Sequence, residues 1–159
     1  ILACVFTASA QKFALIDMEY ILKNIPAYEQ ANTQLNQASQ QYQSEVEAKE
    51  AEALYKEYQK ASASLSAAQK TQREEAIVAK EKEAAELRKK YFGPEGEMAK
   101  KQEALIAPIQ DKIYEAVKQI SEQKGYAAVV DRGSAQSIIF ASPSIDISNE
   151  VLSRLGYSN

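Results

Sequence analysis

The stretch YEQANTQLNQASQQYQSEV, residues 28–46, places apolar or small side chains at Tyr28, Ala31, Leu35, Ala38 and Tyr42, at alternating intervals of three and four. That alternation keeps one face of an α-helix apolar and makes a heptad seam. Val46 follows Tyr42 by four, a stutter that locally relaxes left-handed supercoiling, and the seam is expected to resume at Leu54, Tyr58, Ala61 and Leu65. No Gly or Pro interrupts the chain from Ala27 to Phe92, so the pattern predicts long helices throughout this span.

Outward from this stretch, Ser62, Ser64 and Ser66 lower helix propensity, and Ser66 with Gln69 has the form of a capping box. A tight turn is expected near residues 62–66, with Ser66 opening a second long helix; the alternative is one uninterrupted rod. Ile77, Ala84, Leu87 and Tyr91 continue a seam on the return. The segment Gly93-Pro94-Glu95-Gly96 must bend or interrupt that helix. Beyond it, Met98, Leu105, Ile109, Ile113, Val117 and Ile120 form a further seam, with Pro108 a second expected irregularity because it lacks a backbone donor.

The two ends of the chain read differently. Lys12-Phe13-Ala14-Leu15-Ile16-Asp17 is an apolar strand ending at a residue suited to cap a helix, and Met18-Glu19-Tyr20-Ile21-Leu22 has helical spacing. Pro26 marks a new helix start. After Gly125, a helix stop, Tyr126–Asp131 reads as a buried strand, residues 132–135 as a turn, and Gln136–Ala141 as its antiparallel partner. A last helix runs from Ser148 or Asn149 to Leu155.

The expected fold class is therefore mainly α with a small α+β body. A long antiparallel coiled-coil hairpin arm, residues 27–122, is attached to a three-strand body made of residues 11–26 and 123–159. The first arm helix would be about 54 Å long at ~1.5 Å per residue. So small a body rarely stabilises itself without disulfides, metals or partners. With no histidine and a single cysteine, Cys4, association of several copies is the remaining route. The edges at Phe13–Asp17 and Gln136–Ala141 are the natural places for copies to pair. Phe13, Leu15, Val129, Ile138 and Phe140 are the candidate interface residues.

Composition excludes much chemistry. The 159 residues carry 22 acids and 19 bases, net −3, both signs interspersed, which is no nucleic-acid footprint. Without histidine, Ser-His-Asp and Cys-His triads are impossible and the common zinc sets lose their main ligand. The carboxylates Glu45, Glu47, Glu50, Glu52, Glu81, Glu83 and Glu86 stand beside lysines as solvated helix faces. Gly93–Gly96 lacks the lysine and spacing of a phosphate loop, so no nucleotide is expected. The chain reads as no enzyme, with no cofactor and no metal.

The first ten residues, Ile1 to Ala10, are uncharged, and Ala8-Ser9-Ala10 has the small-x-small form of a signal-peptidase site. They are read as the remnant of a secretory signal, with the mature chain beginning at Gln11. Ten residues are too few to cross a membrane, which takes roughly 20 apolar residues, so no stable insertion is expected. A rival reading makes Cys4 a lipidated cysteine.

Tyrosine is used nine times and tryptophan never. Tyr28, Tyr42 and Tyr58 fit the seam. Tyr55 lies off it and, with Tyr91 and Phe92, is a candidate adaptable contact surface, since such rings join an apolar body to a polar or exposed edge.

Over nearly the whole span after residue 11 the sequence resembles the Skp/OmpH family of periplasmic chaperones. The resemblance rests on Lys12–Asp17, on the small-residue tip leading into Leu65-Ser66-Ala67-Ala68, and on Leu105-Ile106-Ala107-Pro108-Ile109-Gln110-Asp111-Lys112-Ile113. It continues through Gly125–Asp131 and Asp146-Ile147-Ser148 with Val151 and Leu155. It implies a homotrimer whose three arms surround a cavity, where unfolded outer-membrane proteins are held without ATP. Tyr55, Tyr91 and Phe92 become candidate client contacts. Two departures stand out: family members are strongly basic where this chain is net −3, and the Gly93–Gly96 break is not general to them. The alternative function is a coiled-coil envelope scaffold without clients, anchored through Cys4.

Overall fold

The computed structural model describes residues 12–62, 66–135 and 137–157. Its elements are β1 (Lys12–Ile16), α1 (Met18–Lys23), α2 (Pro26–Ser62), α3 (Ala67–Phe92), α4 (Glu97–Lys124), β2 (Tyr126–Asp131), a 3-10 turn (Pro143–Ile145) and α5 (Ser148–Arg154). Two compact units emerge, one from the residues up to Glu29 and from Ala107 onward, the other from Gln30–Ile106. The expected signal remnant, residues 1–10, lies outside the described residues.

In the first unit β1 and β2 pair in parallel, with Phe13 opposite Ala128 and Ile16 opposite Asp131. Parallel strands need a long crossover, and the helices between them in sequence provide it. Leu15 also bridges to Asp146 on the other side of β1, and Ile147 N–H donates to the Leu15 carbonyl at 2.9 Å. The outer edge of β1 is thus covered at Leu15 by residues 146 and 147, where the sequence led us to expect an open edge. The core of the unit comprises Ala14, Leu15 and Ile16 with Ile21, Leu22, Ile25, Ile113, Ile120, Val151 and Leu152, all at most 9% exposed. Residues 107–122 of α4 belong to this same unit through Ile109, Ile113, Ala116 and Ile120.

Capping closes the unit. The Asp17 side chain accepts from Tyr20 N–H at 2.9 Å and so starts α1. Ser148 Oγ accepts from Asp17 N–H at 2.8 Å and donates to Asp146 Oδ1 at 2.6 Å, which ties the start of α5 to the end of β1. Gly125 sits at φ +70°, the left-handed turn that lets α4 stop and β2 begin.

The antiparallel strand expected at Gln136–Ala141 is not formed. Residues 138–142 carry no regular structure, Gln136 lies outside the described residues, and the sheet has two strands. Ile139 and Phe140 are 101% and 84% exposed, so within one chain nothing buries the side chains that would fix such a strand.

In the second unit α2 and α3 run antiparallel, because their partners move in opposite directions along the two helices. Glu45 meets Tyr91, Glu50 meets Arg88, Lys49 meets Glu83 and Glu52 meets Lys80. That excludes one uninterrupted rod. The expected turn near 62–66 falls on residues 63–65, outside the description, but Ser66 caps α3 with the full capping box.

The α2 seam buries Ala31, Ala38, Val46 and Ala53, with Tyr28, Leu35 and Tyr42 half-buried. Leu54 is 66% exposed, so the seam resumes at Ala53, one heptad after Val46, and not at Leu54. On α3, Ile77, Ala84 and Tyr91 are buried.

α3 ends at Phe92 and α4 begins at Glu97, the break placed by Gly93 and Gly96. A Cβ on Gly96 would stand 2.8 Å from the carbonyl oxygens of Lys90 and Tyr91. Only glycine permits so close a backbone approach. Pro108, by contrast, leaves α4 unbroken. It and Ala104, whose carbonyl it deprives of a donor, are both exposed, so solvent can satisfy the orphan.

Candidate functional site

Part of the charge on the α2–α3 hairpin is paired within it. Glu52 lies 3.3 Å from Lys56 and 3.8 Å from Lys80, Lys80 lies 2.8 Å from Glu83, and Arg88 reaches Glu50 at 2.6 Å. Such exposed pairs contribute only about 0–1 kcal/mol each, so the ladder sets register more than stability. Hydrogen bonding to the neighbouring lysines holds the Glu52 and Glu83 carboxyls below the usual range.

Near the base of α3 the Tyr42 and Tyr91 rings stack, centroids 4.0 Å apart and planes 6° from parallel, with Phe92 edge-on to Tyr42 at 6.4 Å. The Tyr91 hydroxyl donates to Glu45 Oε2, which raises the tyrosine pKa to about 12 and lowers that of Glu45.

The three expected contact residues therefore separate. Tyr55 is 63% and Phe92 40% exposed, but Tyr91 is 8% exposed and serves as hairpin interior. Its heptad position, seven after Ala84, already carried that signal. A groove of about 720 Å³ is floored by Ala53, Ala84 and Ala85 and walled by Leu54 and Phe92. It includes Phe92 and not Tyr55. Leu54 escaped the sequence reading because it was given to the seam.

In the β-containing unit a cavity of about 650 Å³ brings together Leu15, Ile138 and Phe140 with Tyr20, Arg132 and Asp146. Arg132 Nη1 donates to Asp146 Oδ2 at 3.1 Å, and its Nε lies 3.7 Å from Asp17 Oδ2. Burial pushes the Asp146 carboxyl up, but hydrogen bonds from Ser148 and Arg132 outweigh it and leave the pKa lowered. Of the expected interface residues, Phe13 is 58%, Ile138 37% and Phe140 84% exposed, Val129 is half-buried, and Leu15 is interior at 3%. Ile139, not singled out from the sequence, is the most exposed of this group.

Among the described residues no cluster of His, Cys, Asp and Glu is placed to hold a metal ion. Among them too, no helix is long and apolar enough to cross a membrane.

A family model described as outer membrane protein (OmpH-like) matches residues 12–155. The chain is also similar to a crystal structure of a candidate outer membrane chaperone (OmpH-like) from Caulobacter crescentus, with a TM-score of 0.71 at 11% sequence identity. That match covers 92% of this chain and 85% of the other. At such identity the likeness is one of fold. No curated protein sequence matches the chain.

Proposed function

We propose that this chain, which belongs to the OmpH-like outer membrane protein family, is an ATP-independent periplasmic holdase for unfolded outer-membrane proteins. The family is one of mainly helical outer membrane chaperones, and the fold agrees with it. The observation that carries the finer reading is the hairpin surface. Leu54, Tyr55, Val78 and Phe92 stand exposed on helices whose charges are partly paired with one another. Isolated apolar side chains on a polar rod suit weak, adaptable grip on varied unfolded chains, and a holdase acts by mass action, lowering the free concentration of the unfolded state. No catalytic step is assigned to any residue.

Copies associate, in this reading, as a homotrimer through the β-containing body, residues 11–26 and 123–159, with the arms enclosing a cavity for clients. Supporting it, Phe13, Ile138, Ile139 and Phe140 are large, apolar and exposed in the single chain, and β2 pairs only with β1 among the described residues. The 138–140 segment would supply the third strand by pairing with a neighbouring copy. Leu15 is left out, since its own chain buries it. In this reading residues 1–10 are the remnant of a cleaved secretory signal, and the protein works in the periplasm.

The test is dilution of a urea-unfolded porin into buffer without nucleotide, followed by light scattering. Scattering should fall with a several-fold excess of this protein; undiminished scattering would defeat the holdase reading. Sedimentation equilibrium should give three copies, and a monomer would defeat the association.

A further inference from the structure

Residues 138–142 lie between β2 and the 3-10 turn without helix or strand, and no charged residue occurs from Ser134 to Ile145. Among the described residues the backbone groups of Ile139, Phe140 and Ala141 make no hydrogen bond. The Ile139 and Phe140 side chains stand almost wholly in solvent. The other exposed Phe and Tyr side chains up to residue 124 sit in regular elements: Phe13 in β1, Tyr20 in α1, Tyr55 in α2, Phe92 at the end of α3 and Tyr114 in α4. A protease reaches bonds in such elements only after local unfolding, whereas an exposed loop is open to nicking as it stands. Free N–H and C=O groups are also what a substrate cleft pairs with when it takes an extended chain as an added strand.

We propose that the Phe140–Ala141 bond is a scission site of the single chain, for an endoprotease that takes an aromatic side chain in its primary pocket. Water adds its hydroxyl to the Phe140 carbonyl carbon and its hydrogen to the Ala141 nitrogen as the C–N bond breaks. A carboxylate and an ammonium group are left.

The cut falls where it does most damage to the fold. Residues 141–159 carry Ile147, Ser148, Val151 and Leu152, all at most 4% exposed. They also supply the Ile147 N–H that donates to the Leu15 carbonyl at 2.9 Å and the Ser148 Oγ that accepts from Asp17 N–H at 2.8 Å. Scission turns these contacts from intramolecular to bimolecular, so the fragment leaves at low concentration and takes part of the core with it.

The site rests on the single chain alone. Its control rests on the association proposed above: a copy whose 138–140 segment pairs with a neighbour is shielded, and a copy left alone is cut.

The experiment digests the full chain with chymotrypsin, with an unstructured reporter peptide in the same tube as the rate standard, and identifies fragments by mass spectrometry. The fragment starting at Ala141 should form roughly ten-fold or more faster than those from Tyr55 and Tyr114. Phe140→Ser should abolish it and leave the circular dichroism unchanged. Thermolysin, which cuts before apolar residues, should open the chain first between Ser137 and Phe140. A dilute chain cut first at Tyr55 or Tyr114, or opened by thermolysin elsewhere, overturns the site. Gel filtration should separate the new fragment from the rest, and its retention overturns the loss of core. Raising the protein concentration should slow the Phe140 cut several-fold relative to the reporter. An unslowed cut in copies that sedimentation shows to be associated overturns the control. A chain monomeric at every concentration and still cut first at Phe140 defeats the association reading and upholds the site.

Discussion

Ile120→Ala tests the claim that α4 is anchored through its buried face. Ile120 is 0% exposed, as are Ile113, Ile21 and Val151 in the same unit. The substitution removes three carbons, about 2.4 kcal/mol at ~0.8 kcal/mol per buried methylene. The void left behind adds up to roughly 1–2 kcal/mol where the neighbours do not close in. The expected loss is therefore about 2.4–4.4 kcal/mol. Tyr114→Ala on the same helix is the control, since Tyr114 is 69% exposed and surface changes of this kind stay within about 0.5 kcal/mol. Urea unfolding followed by far-UV circular dichroism, at one fixed protein concentration, measures both; the slope with urea should be unchanged. A loss below about 1 kcal/mol at Ile120, or an equal loss at Tyr114, would refute the assignment of this face to the core.

Ser66→Ala should cost about 0.5–2 kcal/mol by removing the capping box of α3, and Ser66→Asp should recover most of it in the same unfolding assay. Gly96→Ala forces a Cβ to within 2.8 Å of two carbonyl oxygens, so a lowered melting temperature corresponding to about 1–3 kcal/mol is expected. Acid titration should show Asp146: its pKa is lower in the folded chain than in the unfolded one, so its contribution is present above the unfolded value and is lost as pH falls through the folded value. Arg132→Ala should shrink that acid-dependent part. At the alkaline end Tyr91 runs the other way. Raised from 10.0 to about 12 in the folded state, it supports the fold below pH 10 and loses that support as pH rises toward 12. Tyr91→Phe should flatten this alkaline fall, and an unchanged profile would show that the Glu45 contact is not made.

Much of the helical architecture was legible because its signals are local. The absence of Gly and Pro from Ala27 to Phe92, the Ser66 and Gln69 box and the glycines at 93 and 96 each act within a turn or two of helix. The seam at Tyr28, Ala31, Leu35, Ala38 and Tyr42 likewise needs only periodicity. Where the seam resumes was misread, since after the Val46 stutter Ala53 and Leu54 compete and hydrophobicity favours the larger residue. Register against α3 buries the smaller one, because close helix approach selects for size as well as polarity. Tyr91 was legible by its spacing from Ile77 and Ala84, and the structure adds which ring it meets, since it stacks on Tyr42.

The residues alone determined that this is a chain of long helices with short apolar strands at its ends and no histidine-based chemistry. Only the tertiary structure decided that Lys12–Ile16 pairs in parallel with Tyr126–Asp131, that Ile138–Phe140 stays unpaired within one chain, and which apolar side chains remain in solvent. The division has a physical cause. Helical hydrogen bonds join neighbours four residues apart, so periodicity and caps suffice to foretell them. Strand pairing joins residues more than a hundred positions apart, and nothing within either strand records which edge it will meet.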